Sequence, residues 1–390
     1  MTKVTDVIVH HVHLSPNAER AAYRLVLVEV ETESGVVGAG EVGLAYGIGA
    51  VGAMQVVLEM ARNYLIGQDA REVARFGERV YRNGFWLQGG GPVIHGAVSA
   101  LDQALWDIKG KLLGAPVYEL LGGAMRERIR LYCNGWSRSI GTIDELAERA
   151  AEEVEKGYTA LKFDPFKYDA AGERTALVGA IEPALHRLGV ERVRAVREAI
   201  GPDVDILIEL HGNLMPTDAL RACSDMAEFR PFFFEEPIDC SDVGVLADFA
   251  ARVATPLAAG ERIYTNSGFR PYLESGALAV IQPDMGLCGG ITELMRIAGS
   301  AQAHQVKVQP HNCGGPVSTA ACLQVDAVIP NLQFQEIFPY FADGRQDVVT
   351  DAYERRVAGG YMALPHGPGL GVEINHDYLK GHASSLRASA

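Results

Sequence analysis

Between Asp205 and Glu336, six short apolar runs each end in an acid or a histidine: DILIEL carries Glu209, PFFFEE carries Glu235 and Glu236, TPLAAGE ends in Glu261, LAVIQPD in Asp284, VKVQPH in His311 and NLQFQE in Glu336. Successive polar positions lie about 23 to 27 residues apart, the length of one strand, one helix and two short loops. A parallel strand buried on both faces reads as a continuous apolar run, and a helical pattern follows each run before the next begins. The stretch therefore predicts consecutive units of a parallel (β/α) barrel. Its polar residues keep returning to the C-terminal rim, where such barrels build their sites.

Glu209, Glu235 and Glu261 then converge from three successive strand ends. Left uncompensated in a partly desolvated site, three carboxylates would repel one another. A hard divalent cation with oxygen ligands resolves that conflict, and Mg2+ is the usual choice where a few carboxylates bind and water or substrate completes the sphere. Three unrelated rim acids are the plainer alternative, and their equal spacing after apolar runs argues against it.

At 390 residues the chain exceeds a bare barrel of about 250. The surplus lies at the front. Val4–His13 and Tyr23–Thr32 alternate apolar and polar, and VVGAGEV follows the Ser34-Gly35 turn, so three antiparallel strands are expected. MQVVLEMARNYL, REVARFGERVYR and VIHGAVSALDQALWDIKGKLLG are helical in pattern. The division expected is a capping domain over 1–125, a barrel over 126–354, and a segment 355–390 that returns to the capping domain through the strand-like GVEI run. His10, His11 and His13 are expected to be exposed strand residues. The polar, Pro-containing connection Ser15–Ala22 is expected to be a lid. Gly89-Gly90-Gly91 has no Lys-Ser/Thr after it, so it reads as a turn or hinge and not as a phosphate loop.

The first barrel strand is expected at RIRLYC, followed by a helix from Ile143 capped by Thr142, with Glu145 three residues on. Strand two, TALKFD, ends in Lys162-x-Asp164, and the long connection after it is expected to pass over the mouth. A net charge of −14 disfavours nucleic acid and anionic membrane as partners. Six cysteines without a Cys-x-x-Cys pair read as reduced thiols. No apolar stretch is long enough to cross a membrane and no export signal opens the sequence, so a cytoplasmic location is expected.

SALDQALWDIKGKLLGAPVYELLGG, FFFEEP, IQPD with GGITE, and VQPH together closely resemble the enolase superfamily, and the Asp284 and His311 pair resembles its mandelate racemase subgroup. The resemblance implies an N-terminal α+β capping domain on a modified (β/α)7β barrel of TIM type. It also implies a homo-oligomer and a Mg2+ enzyme that abstracts a proton alpha to a carboxylate through an enediolate. Carried over by position, Glu209, Glu235 and Glu261 match the metal ligands. Asp284 matches the residue that orients the base His311, and Glu336 the acid that, when protonated, hydrogen-bonds the substrate carboxylate.

Two positions depart from the racemases of that subgroup. Lys162-x-Asp164 replaces a Lys-x-Lys, which puts a symmetric two-base racemase in doubt. Glu209-x-His211 resembles sugar-acid dehydratases in which the histidine acts as general acid, and a period of two places both residues on one face. Expelling a beta hydroxyl needs a proton, which His211 or Asp164 can supply. The expected activity is dehydration of an aldonate or aldarate, a small-molecule sugar acid, to a 2-keto-3-deoxy acid. Epimerisation or cycloisomerisation of a hydroxy or anhydro-sugar acid and a non-catalytic binding protein on the same fold are the alternatives; Lys162 is the candidate base if His311 does not serve.

Overall fold

The computed structural model describes residues 2–14, 24–46, 48–340 and 344–389. The expected lid, Ser15–Ala22, lies outside the described residues. The chain opens with three antiparallel strands, β1 (Val4–His13), β2 (Arg24–Thr32) and β3 (Val37–Val42). Helices α1 (Ala50–Met60), α2 (Val73–Asn83), α3 (Pro92–Leu113) and α4 (Val117–Leu120) follow. One face of the sheet, with Val7, Val9, Val26 and Val28, packs on Val57, Leu101 and Ala104 of the helices. Leu25, Leu27 and Ala39, on the other face, join the core of the barrel.

The barrel strands are β4 (Arg128–Cys133), β5 (Ala160–Phe163), β6 (Asp205–Glu209), β7 (Phe233–Glu235), β8 (Leu257–Ala259), β9 (Val280–Ile281), β10 (Lys307–Val308) and β11 (Gln335–Ile337). Between them run α5 (Ile143–Glu155), α6 (Pro183–Ile200), α7 (Pro216–Met226), α8 (Val243–Ala250), α9 (Thr265–Ser275), α10 (Gly290–Ala303) and α11 (Pro316–Val328). The parallel order is β10-β9-β8-β7-β6-β5-β4-β11, and a bridge between Val308 and Leu332 joins its two ends. The result is the expected (β/α)7β barrel beneath an α+β capping lobe. Local signals act as their chemistry dictates: the Thr142 side chain accepts from the Glu145 amide to start α5, and α11 starts at Pro316, which has no N–H to leave unpaired.

After the barrel come β12 (Tyr361–Ala363), antiparallel to β4, then α12 (His376–His382) and β13 (Ala383–Arg387). β13 pairs antiparallel with β1, so the first sheet runs β13-β1-β2-β3. The strand that returns to the lobe is therefore β13 and not the GVEI run. Gly369 and Gly371, with φ of 71° and 75°, break the extended backbone around that run, which reaches the lobe through a side chain and not as a strand: its Glu373 pairs with Lys111 of α3 at 2.8 Å. The returning segment also corrects the histidine expectation. His10 and His11 are buried, and only His13 is exposed. With β13 beside it, the His10 ring bonds Ser385 Oγ at 2.7 Å and Glu29 at 2.8 Å.

Inside the barrel, Tyr132, Ala160, Leu207, Phe233, Ala258, Val280 and Phe334 form an apolar plug with one residue from each contributing run. Two residues further along, on the same inward-facing set, stand Asn134, Lys162, Glu209, Glu235, Gly260, Gln282 and Glu336. Strand alternation thus places a polar layer directly on the apolar one, at the C-terminal mouth.

Candidate active site

The polar layer is a carboxylate cage around one cation. Lys162 Nζ lies 2.5 Å from Glu235, 3.0 Å from Glu336 and 3.3 Å from Glu209, with all four side chains buried. Burial alone would lower the Lys162 pKa, but Glu235, Glu336 and Glu209 hold it well above the ordinary lysine range. Gln282 Nε2 donates to the second oxygen of Glu235 at 2.7 Å, and Glu336 accepts from Asn134 Nδ2 at 2.9 Å and the Asn312 amide at 2.8 Å.

Carboxylate oxygens of Glu209, Glu235 and Glu261 come within 4.8 Å of one another. Burial, with Glu209 beside it, pushes the Glu235 carboxyl well up despite Lys162, and burial raises Glu209 as well. One ammonium therefore does not satisfy this donor set. An all-oxygen cluster with uncompensated charge fits a hard cation such as Mg2+.

His311 and Asp284 meet at the edge of the cage. His311 Nδ1 lies 2.6 Å from Asp284 Oδ2, and its Nε2 3.0 Å from Glu261. Burial would lower the imidazole, but Cys313, Glu261, Glu336 and Asp284 raise it well above the ordinary histidine range. Glu261 is held correspondingly low: burial opposes this, and His311 outweighs it.

A second imidazole–carboxylate pair stands elsewhere on the rim. His211 Nδ1 lies 2.8 Å from Asp164 Oδ2. The expected reason for its placement, strand alternation after Glu209, does not hold. β6 ends at Glu209, and His211 sits in a left-handed turn at φ 53°, where its amide donates to Glu209 at 2.8 Å. Asp164 lies just past β5 and His211 just past β6, whereas Asp284 and His311 lie just past β9 and β10. In the eight-strand order these pairs of strands are four places apart, so the two dyads face each other across the mouth. Glu236, also at positive φ, 39°, turns away and bonds Arg262 at 2.9 Å.

The cavity of about 170 Å³ above the cage is lined by Lys162, Asp164, Glu209, His211, Glu261 and His311, together with residues that the motif reading missed. Tyr46 comes from the loop after β3, Asn134, Ser137 and Arg138 from the loop after β4, Lys167, Tyr168 and Arg174 from the long connection, Cys313 from beside His311, and Phe338 from the end of β11. The long connection is held as a folded-back arm in which Tyr168 bridges Arg174. The buried Arg192 guanidinium donates to the carbonyls of Pro165, Tyr168, Asp169 and Gly141 at 2.6–3.0 Å. Only the length of the connection signalled this arm in the sequence.

A carboxylate cage at the mouth of a (β/α)7β barrel with an α+β lobe defines a class, and family comparison agrees with it. Residues 2–122 match the mandelate racemase / muconate lactonizing enzyme N-terminal domain, and residues 145–378 match the enolase C-terminal domain-like family. The chain belongs to the mandelate racemase subgroup of the enolase superfamily. It is similar to D-galactonate dehydratase of Ralstonia nicotianae, 37% identical over 90% of this chain and 89% of that protein. It is also similar to D-gluconate dehydratase of Thermoproteus tenax, 36% identical over 93% of this chain and 70% of that one. Among solved structures, a member of the enolase superfamily from Salmonella Typhimurium superposes with a TM-score of 0.92 at 35% identity, covering 99% of this chain and 100% of that one. A mandelate racemase/muconate lactonizing enzyme from Jannaschia sp. CCS1 gives 0.88 at 31% identity, covering 98% of each.

Proposed function

We propose that this chain is a Mg2+-dependent dehydratase of a sugar acid, an aldonate or aldarate, giving a 2-keto-3-deoxy acid. The observation that carries the reading is the pair of imidazole–carboxylate dyads facing each other across a carboxylate cage. Proton exchange alone needs one base. Loss of a hydroxyl needs an acid as well, and the second dyad supplies one. The relatives named D-galactonate and D-gluconate dehydratase support the same substrate class.

Mg2+ held by Glu209, Glu235 and Glu261 would supply Lewis-acid stabilisation for the substrate carboxylate. The rest is done by the chain. Lys162, fixed as a cation by its three carboxylates, balances negative charge as it builds on the substrate and does not act as a base. His311 takes the alpha proton at Nε2 while Asp284 fixes the Nδ1–H tautomer and stabilises the imidazolium. A Glu261 carboxylate committed to a cation no longer holds that Nε2. His211 donates its proton to the departing hydroxyl, with Asp164 holding the imidazolium beforehand. Because the dyads stand on opposite sides of the mouth, the proton and the hydroxyl leave from opposite faces.

The test is a screen of acid sugars with Mg2+ for keto-acid formation, repeated with His311→Asn. Wild type should dehydrate at least one aldonate or aldarate, and His311→Asn should lose both dehydration and alpha-proton exchange in D2O. Exchange at the wild-type rate in His311→Asn would overturn the assignment of the base.

A further inference from the structure

The two segments that carry the Asp284–His311 pair are gripped from outside the barrel. Ser99, Asp102, Gln103 and Trp106 fall on one face of α3 by their i, i+3, i+4, i+7 spacing, and this face takes hold of residues 285–292. Ser99 Oγ accepts from the Gly289 amide at 2.9 Å, and Asp102 Oδ2 from the Thr292 amide at 3.0 Å. Trp106 Nε1 donates to Thr292 Oγ1 at 2.9 Å, and Gln103 Nε2 to the Met285 carbonyl at 3.3 Å. Met285 is the residue after Asp284.

The segment after His311 is held from β3. Glu41, fully buried, accepts from the Gly315 amide and, at 3.1 Å, from the Ser318 amide at the start of α11. Gly314 and Gly315 make room for it, since a Cβ at either would stand 3.1 or 2.9 Å from the Glu41 carboxylate. Gln103 then ties the two grips together. Its Oε1 accepts from the Glu41 amide at 3.0 Å and its Nε2 donates to the Glu41 carbonyl at 3.2 Å. A third link runs from the end of β3: the Gly43 amide donates to the Gly286 carbonyl at 3.0 Å, and the Gly286 amide donates to Asp284 Oδ1 at 2.8 Å.

We propose that Gln103 and Glu41 are positioning residues of the capping lobe that set the placement of Asp284 relative to His311, and with it the rate of proton abstraction, without touching substrate. The proposal rests on the reading of that pair as the proton-abstracting dyad. A buried amide and a buried carboxylate are costly unless every bond is made, and here their bonds converge on the backbone of the two segments that bear the dyad. Asp107, one turn further along α3, is equally buried but accepts from the Ala39 and Leu370 amides, away from both segments. The same helix therefore carries an internal control.

The experiment compares Gln103→Leu, Glu41→Gln and Asp107→Asn in the full chain with Mg2+. The readouts are Tm, KM, kcat, alpha-proton exchange in D2O, and amide hydrogen exchange over 285–292 and 312–318. Displacement of a reacting group by about 1 Å costs on the order of a hundredfold. Gln103→Leu and Glu41→Gln should therefore lower kcat and alpha-proton exchange together by about tenfold or more, with KM within about twofold and faster amide exchange in the two segments. Asp107→Asn should lower Tm and leave kcat in place. If Gln103→Leu fails to fold, the isosteric Glu41→Gln carries the test. Should these variants lose only Tm, as Asp107→Asn does, the positioning role is wrong. Failure of the underlying reading looks different, because His311→Asn would then keep exchange whatever the lobe variants do.

Discussion

Asp164→Asn separates the two halves of the proposed reaction. The Asp164 side chain is 5% exposed; its Oδ1 accepts from the Phe166 amide at 2.8 Å, and its Oδ2 lies 2.8 Å from His211 Nδ1. The asparagine keeps its carbonyl on the Phe166 amide, which turns the NH2 towards His211 Nδ1. A protonated imidazole then meets donor against donor, and the acid form of His211 loses its support. A hydrogen bond to a charged group contributes about 1.5–3 kcal/mol. His211 is 32% exposed, and solvent screening trims that to about 1–2 kcal/mol. Keto-acid formation should fall about 5- to 30-fold. Alpha-proton exchange in D2O, followed by NMR on the same substrate, should stay within about twofold of wild type, since Asp284 and His311 lie on the far side of the mouth. Dehydration at the wild-type rate, or exchange falling in step with dehydration, would refute the division of labour.

Three further outcomes are expected. Glu235→Gln should weaken Mg2+ binding about tenfold or more in a calorimetric titration and also lower Tm, because it removes the carboxylate 2.5 Å from the buried Lys162 ammonium. Arg192→Met leaves the carbonyls of Gly141, Pro165, Tyr168 and Asp169 without their shared donor. It should cost about 2–4 kcal/mol in denaturant unfolding and raise KM, since Lys167, Tyr168 and Arg174 on that arm line the cavity. Burial pushes the Asp102 carboxyl up to about 7 against the Thr292 bonds that lower it. The folded state therefore holds this proton more tightly than the unfolded one, and stability falls as pH rises from about 4 to about 7 and is flat above that. Asp102→Asn should flatten that limb of a Tm-against-pH curve.

The barrel and its mouth were legible because strand position and chemistry coincide there. Glu209, Glu235, Asp284, His311 and Glu336 each stand at or just past the end of a short apolar run, and nothing but the pleat and the repeat length is needed to gather them. Where the backbone leaves the strand, that logic stops. His211 reaches the mouth through a left-handed turn that no alternation rule describes, and its bond to Asp164 joins the ends of β5 and β6. The cavity walls contributed by Arg138, Tyr168 and Cys313 depend on loop paths, and loops carry no periodicity. Long-range cover was equally hidden. His10 reads as an exposed strand residue until Ser385, 375 positions later, is found bonded to it.

That last pairing bears on how the chain assembles. β1 is synthesised well before β13, yet its outer edge is completed only by β13, with Ile8 opposite Arg387 and His11 opposite Ser384. Until then β1 presents unpaired backbone groups, the kind of edge that recruits strands from other molecules. The whole barrel is translated in the interval, and domains generally fold as they emerge. The barrel can therefore close while the lobe still waits for its last strand. Contacts this distant in sequence form slowly, so a newly made chain carries an open strand edge until residues 383–387 dock.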